Sequence, residues 1–127
     1  MLPVTALTAL ALATLLLVLT VHVIVGRRSA GIVHGDGNDR AFAKRVRGHA
    51  NAAEQVPIAL IVMALAEVRE APAWALAIPA LLLVGGRLSH ALYFARHGLS
   101  FRLRVFGMLA TLLAQAGLIL TLAATLV

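Results

Sequence analysis

The chain of 127 residues is 61% hydrophobic and only 13% charged, has no cysteine and carries a formal net charge of +6 at pH 7. Soluble domains average roughly 45–50% apolar and about 25% charged residues, so an ordinary soluble domain is excluded, and so is disorder, which needs low hydropathy and high charge. Disulfide scaffolds and cysteine-ligated zinc sites are excluded too. What remains is one domain, residues 1–127, whose apolar excess faces lipid, and a positive charge that needs a cause.

From Pro3 to Gly26 no residue is charged, and at about 1.5 Å per residue a helix of that length spans roughly 36 Å. No lysine or arginine precedes the run, and it exceeds the ~7–15 apolar residues of a signal-peptide core. It is therefore expected to span the bilayer rather than to be cleaved. The first connection holds Arg27, Arg28 and the turn-forming cluster His34-Gly35-Asp36-Gly37-Asn38-Asp39, which puts an N-cap, Asn38 or Asp39, before Arg40. The second helix is predicted to start near residue 39, to hold Lys44, Arg45 and Arg47 at headgroup level, and to cross lipid over 50–68. Further spans are predicted over 72–94 and 105–127, each near the ~20 residues that a crossing needs. No stretch sustains the period-two alternation of a membrane barrel. The fold class is all-α, an integral membrane four-helix bundle.

Nine of the eleven basic residues lie in two connections: Arg27, Arg28, Arg40, Lys44, Arg45 and Arg47 in the first, Arg96, Arg102 and Arg104 in the third. The positive-inside rule makes these connections cytoplasmic and places both termini outside the cytoplasm. The other side carries only Arg69, between Glu67 and Glu70, and Arg87 falls inside the third span. Topology thus accounts for most of the charge, so no nucleic-acid partner is expected, whereas anionic lipid headgroups are.

Ionisable residues inside spans are costly and face the bundle interior or a water-filled cavity. Arg47, Asn51 and Glu54, spaced by four and three, fall within a sector of about 60° on the second helix. Arg87 and His90, on one face of the third span near the same end, are the expected partners of Glu54. The residues alone leave open an ion pair that locks two helices or a ligand site. Arg47, Arg87 and Arg104 around a single Glu54 favour an anionic ligand, since a guanidinium holds a carboxylate through two parallel hydrogen bonds. His49 is read as an interfacial hydrogen-bonding residue and His22 as a hydrogen bond to a neighbouring helix, and no histidine spacing suits a metal. A kink at Pro57 would widen the mouth around Glu54. Gly107, Ala110, Ala114, Gly117, Thr121 and Ala124 form a small-residue stripe for close packing, within the subunit or between subunits; Gln115 lies off it.

Arg47-Gly48-His49-Ala50-Asn51-Ala52-Ala53-Glu54, followed by Pro57, resembles the signature of the membrane-associated proteins in eicosanoid and glutathione metabolism (MAPEG). Gly86-Arg87-Leu88-Ser89-His90 resembles that family's second motif, and the Gly35-Asp36-Gly37 loop and compact length resemble its small bacterial inner-membrane members. The resemblance implies a homotrimer of four-helix subunits with glutathione at the cytoplasmic end between neighbours. It implies that Arg47, Asn51 and Glu54 hold the tripeptide and that His90 lines the same pocket. Arg104, with Arg102 as the alternative, would stabilise the thiolate. The sequence departs from the family pattern at Phe94, where a tyrosine is expected and Tyr93 is one position off, and at Val105 and Met108, where some active members have serine and tyrosine.

The expected function is a membrane-bound glutathione-dependent transferase or peroxidase. Arg47 and Arg87 would hold carboxylates, Glu54 the ammonium, and a lipophilic electrophile would arrive from the bilayer. A non-catalytic glutathione- or lipid-binding protein is the alternative that the departures favour. A small multidrug transporter is disfavoured, because the first span has no acidic residue.

Overall fold

The structure, a computed structural model, describes residues 1–96 and 98–127. It contains four helices, α1 (Pro3–Ala30), α2 (Arg40–Val68), α3 (Ala73–Ala95) and α4 (Phe101–Ala124), and no strand among the described residues. All four are long and apolar enough to cross a membrane.

The helix ends follow local chemistry. Asp39 is the N-cap of α2, its Oδ1 accepting the Ala41 and Phe42 N–H groups at 2.8 and 3.2 Å, so the second of the two expected caps is the one used. At the far end of α1 the chain continues helically beyond Gly26, through Arg27 and Arg28, until Gly31 takes a left-handed φ of 66°. Two arginines in that last turn face the negative end of the helix dipole. Ser100 Oγ caps α4 by accepting the Arg102 N–H at 3.3 Å. α2 runs unbroken through Pro57.

α2 and α3 form the centre: α1 packs on both from one side and α4 on both from the other, and α1 does not touch α4. Leu12, Val56, Met63, Leu76, Leu83 and Leu118 make the buried apolar core. The closest approach joins α3 to α4. A Cβ on Gly107 would lie 2.6 Å from Gly86 O and 2.8 Å from His90 Cβ, so only glycine admits this contact. Ala110 and Ala114 are buried beyond it, Gly117 faces Pro79, and Thr121 Oγ1 donates to Ala75 O at 3.3 Å. The small-residue stripe of α4 therefore docks on α3 within the subunit. Gln115 finds its partner on α2, its Nε2 donating to Gln55 Oε1 at 2.9 Å.

At the end of the bundle that holds the chain termini, residues around the α2–α3 connection fasten both outer helices. Glu67 accepts the N–H groups of Val4 and Thr5 at 2.9 and 2.8 Å, placing a carboxylate on the positive end of α1. Arg69 donates to Thr125 O from Nε at 3.0 Å and Nη2 at 2.6 Å, placing a cation on the negative end of α4. His49 Nε2 bonds Thr20 Oγ1 of α1 at 3.0 Å, a hydrogen-bonding role as expected, here between helices. His22 does not follow that expectation, since its Nε2 is buried without a partner.

Candidate functional site

At the basic end α2, α3 and α4 enclose a cavity of about 180 Å³. α2 contributes Arg47, Ala50, Asn51 and Glu54, α3 His90 and Phe94, and α4 Arg104 and Met108. Five of the predicted site residues thus line one space, although they come from three helices and span more than fifty positions of sequence.

Each wall has a local cause. The spacing of four and three along α2 turns Arg47, Asn51 and Glu54 to one side. Gly48, on the buried side, lets Phe94 pack against α2; a Cβ there would lie 2.6 Å from Phe94 Cβ. The Phe94 ring stands 4.7 Å from that of His90, and His90 is 2% exposed, pressed between Phe94 and the backbone at Gly107. The Arg104 guanidinium lies 5.7 Å from the Phe94 ring centre and 5.4 Å from that of Phe101, cation–π contacts that hold it over the cavity. Lys44 closes the α2–α3 end, its Nζ 3.1 Å from Arg96 O and 4.0 Å from the Tyr93 ring.

Arg87 stands behind the wall rather than in it. It is 1% exposed, and its Nη1 donates to Asn51 Oδ1 at 2.9 Å while Nε and Nη2 have no partner. The expected pairing of Arg87 with Glu54 is therefore not formed. Glu54 follows Asn51 by three residues, a rotation of about 60° along the helix. Glu54 is exposed where it lines the cavity, while Asn51 is half-buried and reaches Arg87. Of the two arginines at the start of α4, Arg104 lines the cavity and Arg102 does not.

The chemistry on offer is cationic. Two guanidiniums and one carboxylate face the space, with a buried imidazole and an amide, which suits an anionic ligand that also carries one cationic group. Arg104 and Met108 also line an apolar groove of about 260 Å³ along α4, with Phe101, Val105 and Leu109, so polar and apolar spaces adjoin at two side chains. Among the described residues no group of histidines and carboxylates could hold a metal. The polar pairs Gln55–Gln115 and Arg87–Asn51 are among the contacts that sequence reasoning missed. Their only signal is a polar residue inside an apolar run, which does not name the partner.

Comparison with known proteins bears on the same segments. The chain is 36% identical over 108 residues to the inner membrane protein YecN of Escherichia coli strain K12, covering 85% of this chain and 81% of that protein. The YecN protein of Escherichia coli O6:H1, strain CFT073, matches to the same extent. The model of the MAPEG family matches residues 5–124, from the first turn of α1 to the last residue of α4, and so takes in every wall of the cavity. The chain belongs to the MAPEG family.

Proposed function

We propose that this chain is a multi-pass inner-membrane protein that binds glutathione in the basic-end cavity and transfers it to lipophilic electrophiles, or uses it to reduce lipophilic peroxides. The observation that carries the reading is the junction at Arg104 and Met108 of a cationic cavity with an apolar groove. Glutathione carries two carboxylates and one ammonium. Arg47 and Asn51 take a carboxylate and Glu54 the ammonium, which leaves the thiol toward Arg104.

A free thiol titrates near pKa ~8.5, and the thiolate is the attacking form. A guanidinium beside the sulfur favours that form, and the proton leaves to water. In transfer, the thiolate sulfur bonds to the electrophilic carbon as the leaving group departs with its electron pair. The apolar groove holds that partner beside the sulfur.

A homotrimer fits two features. Along α2, Arg47, Asn51, Glu54, Ile58, Ile61, Leu65 and Val68 repeat with spacings of four and three, the 3.5-residue period of a helix seam. Ile58, Ile61, Leu65 and Val68 are each at least 50% exposed in the single chain, an apolar surface suited to a second copy. A cavity of about 180 Å³ is also smaller than the ~300–1,000 Å³ of ordinary ligand pockets, so a neighbouring copy would complete it. The distribution of basic residues supports cytoplasmic placement of this end and external termini.

A second reading, binding without chemistry, is favoured by one observation: among the described residues no hydroxyl lines the cavity, where Phe94 and Met108 stand with Arg104. Detergent-purified protein titrated with glutathione, with ultraviolet absorbance of the thiolate and turnover of an aryl halide followed together, separates the readings. Binding, thiolate and turnover are the expected result. Binding alone leaves the second reading, and no binding overturns both.

A further inference from the structure

We infer that Arg87 is a positioning residue which fixes the polarity of Asn51, so that the cavity meets Asn51 as a hydrogen-bond donor only and reads an α-amino carboxylate across Arg47, Asn51 and Glu54. The inference deepens the proposed function and rests on it for the identity of the ligand.

An asparagine amide has an acceptor end and a donor end of nearly equal shape, and either can face a ligand. Here the choice is forced. A guanidinium has donors and no acceptor, so the 2.9 Å contact between Arg87 Nη1 and Asn51 exists only with the amide oxygen turned to the arginine. Turning the amide over would set N–H against N–H at a side chain that is 1% exposed, and Arg87 has no second bond to fall back on, since its Nε and Nη2 are already unpartnered. Asn51 lines the cavity and Arg87 does not, so the amide nitrogen is the polar atom left for a ligand.

The neighbours on α2 define what it reads. Arg47, one turn toward the basic end, also offers only donors, and Glu54, one turn the other way, offers only acceptors. A carboxylate fits between Arg47 and Asn51, and an ammonium on the adjacent carbon meets Glu54. That is the α-amino acid end of a γ-glutamyl peptide. An α-carboxamide would present N–H groups to donors and is rejected, as sites built on fixed polar groups reject mismatched analogues.

The test uses full-length protein in detergent, with glutathione and its γ-glutamyl α-carboxamide as probes and calorimetric dissociation constants as the readout. Wild type is expected to prefer the acid by about tenfold or more. Asn51→Asp keeps an oxygen for Arg87 but replaces the donors with a carboxylate, so the preference should reverse toward the carboxamide. Arg87→Met releases the amide, and discrimination should fall toward unity, while Arg87→Lys, which can still donate to Oδ1, restores part of it. An unreversed preference in Asn51→Asp, or full discrimination in Arg87→Met, overturns the inference. A ligand-free arm tests the contact separately. Asn51→Asp should raise the unfolding temperature by turning a neutral partner of Arg87 into an ionic one, and should lower or not change it in the Arg87→Met background. An increase of equal size in both backgrounds also overturns the inference. Failure of wild type to bind either probe, with the ligand-free result intact, removes the proposed ligand and with it the reading of the α-amino carboxylate.

Discussion

The two ends of the bundle use charge in opposite ways. At the end with the chain termini, Glu67 and Arg69 are each spent on a helix end of opposite partial charge, at hydrogen-bond distance. At the basic end, Arg87 keeps two buried donors without partners, and Arg47, Glu54 and Arg104 face a cavity instead of one another. The first arrangement is what stability alone produces. The second leaves interactions unmade in the free chain, which is how a site holds binding energy in reserve for a ligand.

Substitutions can break or sharpen that contrast. The largest effect is expected at Gly107, where the site is tied to the fold. A methyl group there meets Gly86 O and His90, so Gly107→Ala should lose about 2–3 kcal/mol of stability in reversible unfolding and weaken glutathione binding by moving Arg104 away from His90. A site independent of the α3–α4 contact would bind unchanged. Next comes Arg104→Gln, expected to weaken glutathione binding by about 2 kcal/mol, roughly thirtyfold, and to remove the thiolate signal, while leaving the unfolding temperature nearly unchanged. A fall in stability of the same size would make Arg104 a structural residue and erase the contrast.

Glu67→Ala tests the other end. It should cost about 1 kcal/mol of stability, as loss of a helix cap does, with no change in glutathione affinity. Smallest is Gln115→Leu, where one intramembrane side-chain pair is lost for about 0.6 kcal/mol, and where calorimetric glutathione affinity should again be unaffected.

The division also marks what a sequence can disclose. The four helices were legible because uncharged runs and charged connections alternate along the chain, and Asp39 as a cap was legible because capping is local. Arg47, Asn51 and Glu54 were legible as one face because helical spacing is local too, His90 and Arg104 were legible as residues near the same end, and the family resemblance supplied their roles. The partner of Arg87 was not legible. Opposite charge points to Glu54, but a rotation of about 60° separates an interior position from an exposed one, and burial decided for Asn51. The start of α4 at Phe101, which turns Arg104 rather than Arg102 to the cavity, depends on a loop register that the sequence leaves open. Glu67 lies 63 residues from Val4, and nothing in either segment announces the other.

That last pairing bears on the order of assembly. A chain emerging from its N-terminus carries the Val4 and Thr5 amides uncapped until α2 has been made through Glu67, and Arg69 then waits for the last residues of α4. The hairpin of α2 and α3 thus holds both α1 and α4 by their ends. An acid and a base two positions apart secure the ends of both outer helices.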